Sequence, residues 1–212
     1  MIDTKQKLLD TAERLIAEQG YAATSLRHII SEAGVNLAAV HYHFGSKEDL
    51  LDQVILQKAS SVNTARLAIL DRLEKDAAGA PLPVADVLAA FFEPMIEAGS
   101  RNPQFVKLMG RMFAEGLLPT IVAKHFRPTF VRFTEALQRS LPFLSEVELF
   151  WRLQFMIGAM SHALCGPRPS PTGLLSDSAP PDFRPPDFEH VVRRLMAFLC
   201  GGLQAPPCPE VR

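Results

Sequence analysis

The chain has 212 residues, of which 48% are hydrophobic and 21% charged, and its formal net charge is -1. This composition excludes a disordered chain, and the length fits one small domain followed by a larger one. The near-zero charge excludes a general attraction to nucleic acid, so any DNA affinity must come from locally placed donors. Three cysteines without metal-like spacing and the lack of a secretory signal favour a reduced, cytoplasmic protein. No apolar run is long enough for a membrane span, so we expect no membrane contact.

Two amphipathic helices are predicted at the start of the chain. The first runs from Asp3 to Gln19 and is followed by Gly20. The second runs from Ser25 to Ala33 and is followed by Gly34. A glycine directly after the last helical residue is typical of a left-handed C-cap, so both helices are expected to end there.

A third, short helix is predicted from Leu37 to Phe44, with Asn36 as its N-cap. Val35 and Val40 are expected to point inward and to hold the second and third helices at a fixed angle. Two short helices joined by a glycine turn, with another helix following at once, are typical of a helix-turn-helix DNA reader. The helix from Leu37 is therefore the predicted reader of the major groove.

The side chains of this module suggest separate roles in DNA binding. The first residues of the reader helix are Leu37, Ala38 and Ala39, whose side chains cannot form hydrogen bonds. They can only contact thymine methyl groups or allow the protein backbone to come close to the DNA. Base discrimination then falls to DNA shape and to three polar side chains: Arg27, Asn36 and His41. Phosphate contacts that fix the register are expected from Thr24, Tyr42, His43 and Lys47. The alternative for His43 and Phe44 is packing within the small domain.

A long helix is predicted from Lys47 to about Leu73, opened by a capping box of Ser46 and Asp49. The glycine and two prolines of segment 76–83 end it. Five more helices are predicted: Val84 to Ala98, Pro103 to Glu115, Leu118 to Leu141, Ser145 to Leu164 and Phe188 to Leu203. Segment 166–187, rich in Pro, Ser and Asp, is predicted to be a mobile loop. The fold class is all-α, with a helix-turn-helix domain at 1–47, a larger helical domain at 48–212 and a linking helix at about 47–73.

Segment 24–51 carries a motif of residues in a fixed order and spacing: Thr24-Ser25, Ile29, Ala33-Gly34-Val35, Tyr42-His43-Phe44, Ser46-Lys47-Glu48 and Leu50-Leu51. This motif resembles that of the TetR-type bacterial transcriptional regulators. The resemblance implies that Thr24, Tyr42, His43 and Lys47 occupy phosphate-contact positions of the family. The sequence departs from the commoner pattern at His41, where an aromatic hydroxyl often stands, and at Leu37, where a polar or basic residue often stands.

The helix from Ser145 to Leu164 is apolar on two faces. One face carries Phe150, Leu153, Ile157 and Leu164, and the other carries Phe155, Gly158, Ala159, His162 and Ala163. We expect the second face to pair with a second subunit, together with the C-terminal helix, in the four-helix arrangement that the resemblance also implies. Such a homodimer suits a palindromic operator in double-stranded DNA. The alternative is a central helix of a monomer.

The larger domain is rich in Phe and Met, which suggests an apolar pocket for a small effector. The predicted lining is Phe92, Met95, Met112, Phe113 and Phe130, with Arg132 or Arg152 to meet a head group. The alternatives are ordinary core packing for the apolar residues and surface salt bridges for the arginines. The combination of VNLAAVHYHFGSK with LFWRLQFMIGA also resembles the repressors that sense long-chain fatty acids or acyl thioesters such as acyl-CoA.

No enzymatic motif, cofactor motif or metal site is found in the sequence. His41 and His43 lie two apart on a predicted helix and so point away from each other, without Cys or carboxylates at ligand spacing. The sequence therefore predicts a DNA-binding repressor that a small apolar effector releases. The competing interpretations are a regulator released by a drug, an aromatic compound or a quorum signal, and a helical dimer that acts through a protein partner.

Overall fold

The computed structural model describes residues 4–36, 44–116, 121–164 and 187–208, and all regular structure within these ranges is helical. The all-α prediction is confirmed. The described helices are α1 (Thr4–Gln19), α2 (Leu26–Ala33), α3 (Lys47–Asp76), α4 (Val84–Arg101), α5 (Pro103–Ala114), α6 (Ile121–Ser140), α7 (Glu146–Leu164) and α8 (Phe188–Gln204). The predicted reader helix, with Val40 but apart from Phe44, lies outside the described residues, as does nearly all of the predicted loop 166–187. None of the described helices is long and apolar enough to cross a membrane.

The helix ends follow the capping residues in the sequence. Ser25 is the N-cap of α2 and accepts a hydrogen bond from the backbone N–H of His28, while Gly34 ends the helix with φ at 63°. This left-handed conformation costs glycine little, which explains why α2 ends where the sequence predicts. Ser46 accepts from the backbone N–H of Asp49 at the start of α3, which is one half of the predicted capping box. The Asp49 carboxylate binds the hydroxyl of Ser46 and not its backbone N–H, which donates to the carbonyl oxygen of Phe44.

A first hydrophobic core joins the N-terminal helices to the larger domain. It contains the buried stripe of α1, including Leu8 and Ile16, and the first half of α3. It also contains side chains of α5, among them Leu108 and Met112, and Leu164 of α7. The domain boundary predicted between residues 47 and 48 falls inside this core, because α3 supplies Leu50 and its neighbours to it.

A second core holds the larger domain together. It is formed by α4, α6, α7 and α8, with Leu70 from the second half of α3. The long helix α3 therefore contributes to both cores and joins the two ends of the molecule. At 30 residues it is longer than predicted, because the turn that ends it lies at Ala78 and Gly79, both with positive φ.

Candidate DNA-binding and effector sites

The described part of the predicted DNA-binding surface lies on α2 and at the segment that follows it. Arg27 and Asn36 are both exposed, so their side chains can reach a ligand in solvent. The other residues predicted to face DNA, Leu37, Ala38, Ala39, His41, Tyr42 and His43, lie outside the described residues. Phe44 is described and is buried in the first core, which agrees with the packing alternative for this residue.

Thr24 is placed in the interior and not on the DNA-facing surface. Its side chain is 0% exposed, and its hydroxyl lies 2.8 Å from the carbonyl oxygen of Gly20 and 3.3 Å from that of Leu15. The hydroxyl donates to these carbonyls, one directly after the C-terminal end of α1 and one near that end. The structure therefore corrects the prediction for the Thr24 side chain, which joins the loop before α2 to the end of α1 and is not exposed to a phosphate.

Lys47 is also held within the protein. Its Nζ donates to the carbonyl oxygens of Tyr21 at 2.7 Å and Thr24 at 2.8 Å, and it lies 3.8 Å from the centre of the Tyr21 ring. The phenol of Tyr21 donates to Glu48 at 2.7 Å, and burial and this hydrogen bond raise the pKa of Tyr21. The ammonium group of Lys47 uses two of its three N–H donors to bind the loop between α1 and α2. In this structure Lys47 therefore stabilises the N-terminal domain and does not extend toward a phosphate. Sequence reasoning missed Tyr21, whose ring packs under this lysine.

Because Lys47 is hydrogen-bonded within the protein and Arg27 is exposed, Lys47→Met and Arg27→Gln are expected to affect different properties of the protein. Lys47→Met is expected to lower the free energy of unfolding by about 1–3 kcal/mol, because it removes charged hydrogen bonds to two carbonyls. Arg27→Gln is expected to leave stability unchanged and to weaken operator binding by about 1–3 kcal/mol while binding of unrelated DNA changes little, because Arg27 is expected to read a base edge. Urea unfolding and operator binding at several salt concentrations measure both. A reduced salt slope for Lys47→Met without loss of stability would restore it as a phosphate ligand.

A cavity of about 610 Å³ lies inside the larger domain. Its wall is built by α3, α4, α5, α6 and α7 and is almost entirely apolar. The lining residues are Val62, Arg66, Phe91, Met95, Ala98, Phe105, Val106, Met109, Phe113, Gly116, Phe126, Arg127, Phe130, Gln154, Ile157, Met160 and Leu164. This volume is within the range of about 300–1,000 Å³ that is usual for small-molecule sites.

Three of the predicted effector residues, Met95, Phe113 and Phe130, line this cavity. Phe92 and Met112 do not line the described cavity, because each is fully buried in one of the two hydrophobic cores. Both residues lie on the same helices as residues that line the cavity, but their side chains are on the sides of those helices that pack against neighbouring helices. For Phe92 and Met112, the structure therefore agrees with the alternative of ordinary core packing.

The two arginines predicted to meet an effector head group form other contacts. Arg132 donates to Asp71 at 2.7 Å and to Glu74 at 2.9 Å, both on α3, near the surface. Arg152 is buried and donates through Nη1 to the carbonyl oxygens of Leu203 at 2.8 Å and Ala205 at 2.7 Å. A positive charge is favoured beside the unpaired carbonyls at the C-terminal end of a helix, so Arg152 caps the C-terminal end of α8. Neither Arg132 nor Arg152 is one of the described residues that line the cavity.

The arginine that does border the cavity from the interior is Arg66 of α3, which is 3% exposed. Sequence reasoning missed it, although a signal exists. Arg66 lies four residues after Val62 and four before Leu70, so it interrupts the apolar stripe of a helix. A charged residue on a buried stripe indicates a paired ion or a ligand site.

Helix α5 lies between the cavity and the N-terminal helices. Phe105, Val106, Met109 and Phe113 face the cavity, while Leu108 and Met112 are fully buried in the first core against α1. Polar contacts join the same two helices. Asn102, the N-cap of α5, donates to Glu13 at 2.7 Å, Arg111 donates to the carbonyl oxygen of Glu18 at 3.1 Å, and Glu115 accepts from the backbone N–H of Tyr21 at 3.1 Å.

The outer side of α7 and α8 carries an unusually exposed apolar surface, which we call the aromatic face: Val147, Phe150, Trp151, Phe155 and Phe198. Phe155 is 67% and Phe198 is 71% exposed. Of the other residues predicted for the dimer interface, Gly158 and His162 are exposed, whereas Ala159 and Ala163 are half-buried against the core of their own subunit. The expectation that Phe150 belongs to the inner stripe is wrong, since its side chain is exposed beside Trp151.

Two family models match the chain. Residues 8–54 match the bacterial regulatory proteins of the tetR family, and residues 88–202 match the tetracyclin repressor-like C-terminal domain. Because the second match covers more than half of the sequence, the chain belongs to the TetR family. It is thus a transcriptional regulator with an N-terminal helix-turn-helix domain and not an enzyme, as the sequence predicted.

Curated relatives match mainly over the N-terminal part. The transcriptional regulator AcrR of Shigella flexneri is 37% identical over 65 residues, which are 31% of this chain and 30% of the relative. The nicotine-responsive transcriptional repressor HdnoR of Paenarthrobacter nicotinovorans is 46% identical over 50 residues, which are 24% of this chain and 26% of the relative. The matched part of the chain thus spans less than a third of the length of these relatives.

Solved structures are similar over nearly the whole chain. The fatty acid degradation regulator FadR from Bacillus halodurans aligns with a TM-score of 0.63 at 17% identity, covering 96% of this chain and 98% of FadR. The ketosteroid regulator KstR2 of Mycobacterium tuberculosis aligns with a TM-score of 0.61 at 18% identity, covering 95% of both chains. At this identity the likeness shows the fold.

Proposed function

We propose that this regulator is a repressor that binds a palindromic operator as a homodimer and is released when an elongated apolar effector fills the cavity. One observation carries the proposal. Helix α5 has one side in the cavity wall and its other side in the core shared with α1. Any effector that displaces α5 must therefore act on the helices that support the DNA reader.

The DNA contacts are proposed for the exposed positions of the N-terminal domain. Arg27, Asn36 and His41 read base edges, and Tyr42 and His43 bind phosphates that fix the register. Leu37, Ala38 and Ala39 allow close approach to the groove and contact thymine methyls. Arg27 and Asn36 are both exposed in the part of the chain that leads into the proposed reader, which supports their assignment.

The homodimer is proposed to form through the aromatic face. Exposed Trp151 stacks on Phe155 within one subunit, with ring centres 6.2 Å apart, and Phe198 of α8 is more exposed than any other large apolar residue described. Exposed apolar surface of this kind marks an interaction site. A second copy of the same two helices matches it in hydrophobicity and gives the two-fold symmetry that a palindromic operator requires.

The effector class is proposed from the lining of the cavity. Phenylalanine and methionine side chains from five helices surround the space, and a flexible alkyl chain adapts to such walls. The sequence resemblance to acyl-responsive repressors and the structural likeness to a fatty acid degradation regulator support acyl chains. The likeness to a ketosteroid regulator makes a rigid polycyclic effector the competing class.

Release requires that the effector bind more tightly to the form that does not fit DNA. An acyl chain between Met109 and Phe113 of α5 and Phe130 of α6 pushes α5 against α1. The hydrogen bonds from Arg111 and to Glu115 then carry this displacement to the end of α1 and the loop before α2. The two readers of the dimer move out of the operator spacing.

The function is tested by selecting DNA from the genome with the purified protein and titrating the recovered complex with octanoate, dodecanoate and hexadecanoate. We expect release of the operator below the concentration at which each compound forms micelles, with affinity rising with chain length because apolar burial rises. A complex that resists every acid and the matching acyl thioesters would contradict the acyl-sensor proposal. A recovered pool without a common sequence would contradict operator binding itself.

The role of α5 predicts that the double variant Arg111→Ala/Glu115→Ala binds effector normally but releases DNA poorly. Arg111 contacts α1, and Glu115 contacts the loop that follows α1. Neither residue is among the described residues that line the cavity. We expect the effector concentration for half release to rise about 10-fold, which corresponds to a coupling loss of about 1.4 kcal/mol. Lys107→Ala, an exposed position on the same helix, is the control that should release normally. Equal release by both variants would exclude this path.

A further inference from the structure

Arg66 is a buried cation at the cavity wall. Its side chain is supported by α4 and by its own helix: Nε donates to the carbonyl oxygen of Phe91 at 2.7 Å, and Nη1 donates to Oδ1 of Asn63 at 3.2 Å. The guanidinium lies 3.9 Å from the centre of the Phe91 ring. These contacts fix its plane but leave both N–H groups of Nη2 and one of Nη1 without a hydrogen bond to any described residue.

No carboxylate neutralises this charge within the described ranges. The ion pairs of the described residues involve other arginines, such as Arg132 with Glu74 and Arg152 with Glu148, and the partners of Arg66 are neutral. Burial lowers the pKa of Arg66 to about 9, so the group still carries its proton at neutral pH. A buried charge without a counter-ion is costly, and a negatively charged ligand group would remove that cost.

The rest of the cavity shows which end of a ligand meets Arg66. Met95, Met109, Phe113 and Phe130 form an apolar wall. Arg127 and Gln154 also line the cavity but are exposed, so they lie where it reaches solvent. One interior cation neutralises one negative charge, so a dianionic phosphate at the same place would leave charge uncompensated.

We propose that the effector is a monoanionic amphiphile with a free carboxylate, which binds Arg66 inside the cavity while the apolar chain extends along the wall toward Arg127. This inference rests on the proposed effector-responsive function and narrows its ligand. Guanidinium and carboxylate can form a bidentate pair, and the fixed plane of Arg66 favours that geometry. An acyl thioester lacks the free acid, so it cannot form this pair.

The test compares hexadecanoate with methyl hexadecanoate, which has the same chain and no charge. Binding is measured by calorimetry on the delipidated protein of 212 residues, and operator release is measured in parallel. We expect the wild-type protein to bind the acid about 10–100-fold more tightly than the ester, the range given by a charged hydrogen-bonded pair. Equal affinities would overturn the inference while the proposed function stands, because the ester would still bind and release DNA.

Three variants locate the acid group. Arg66→Met should reduce the preference for the acid to nearly onefold, whereas Arg66→Lys, which keeps the charge, should retain part of it. Arg127→Met is the matched control at the solvent-exposed end and should discriminate like the wild type. Thermal melting followed by circular dichroism shows that each variant folds. A preference that persists in Arg66→Met, or that disappears in Arg127→Met, would overturn the inference. Binding of neither compound to the wild type would overturn the acyl-sensor proposal together with it.

Discussion

Phe155→Glu is expected to convert the proposed homodimer into monomers and to weaken operator binding by about 100-fold or more. The side chain lies on the aromatic face, stacked on Trp151, and a carboxylate there would be buried without a partner in the dimer. Two linked DNA readers gain about 10²–10⁴ in affinity over one, and this gain is lost with the dimer. The oligomeric state is measured by analytical ultracentrifugation and operator affinity by fluorescence anisotropy.

The control for this variant is Val131→Glu, a substitution at an exposed apolar residue of α6 away from the aromatic face. It should leave both the dimer and the operator affinity unchanged. Trp151 is the single tryptophan of the chain, so its emission reports on the same surface and should shift when the wild-type protein is diluted. A Phe155→Glu protein that stays dimeric would show that the subunits associate through another surface.

Arg66→Met is expected to stabilise the effector-free protein by about 1–4 kcal/mol, the range found when buried ion pairs are replaced by apolar groups of similar size, because the unpaired charge of Arg66 also has to be desolvated. The thioether can fill the volume of the arginine stem between Phe91 and Phe126, and the desolvated charge disappears. Urea unfolding of delipidated wild type and variant at equal concentration measures the difference. A less stable variant would show that the hydrogen bonds to Phe91 and Asn63 outweigh the cost of desolvation.

The pH dependence of this difference has a defined sign. Burial lowers the pKa of Arg66 from its usual, much higher value in the unfolded chain to about 9 in the folded protein, so the unfolded state binds more protons above pH 9. Wild-type stability therefore gains from this group as pH rises above 9. The stabilisation by Arg66→Met should be complete at neutral pH and should shrink above pH 9. An advantage of constant size would exclude the buried charge as its cause.

Local chemistry explains why much of the fold could be predicted from the sequence. Gly34 and Ser46 mark helix ends through their own backbone and side-chain geometry, which depends on few neighbours. The stripe of α1, Leu8, Ala12, Leu15 and Ile16, is buried as its period predicts. Helix bounds beyond residue 84 agree within about three residues for the same reason.

The candidate sites were harder to predict because they depend on contacts between distant helices. The sequence shows that Lys47 is basic, but it does not show that the carbonyls of Tyr21 and Thr24 lie within its reach. Arg152 is bound by the end of α8, some 50 residues later in the chain. Sequence period alone likewise could not separate the cavity-facing residues of α5 from those, such as Met112, that pack on α1.

The central claim is that a molecule in the cavity moves the DNA readers through α5 and α1. It is tested most directly by the distance between spin labels at Ser31→Cys, an exposed position of α2, in the two subunits of a dimer whose native cysteines are replaced by serine. We predict that saturating hexadecanoate shifts the distance distribution, and that it does not do so in Arg111→Ala/Glu115→Ala although the acid still binds. An unchanged distribution in a protein that hexadecanoate nevertheless releases from its operator would contradict this account.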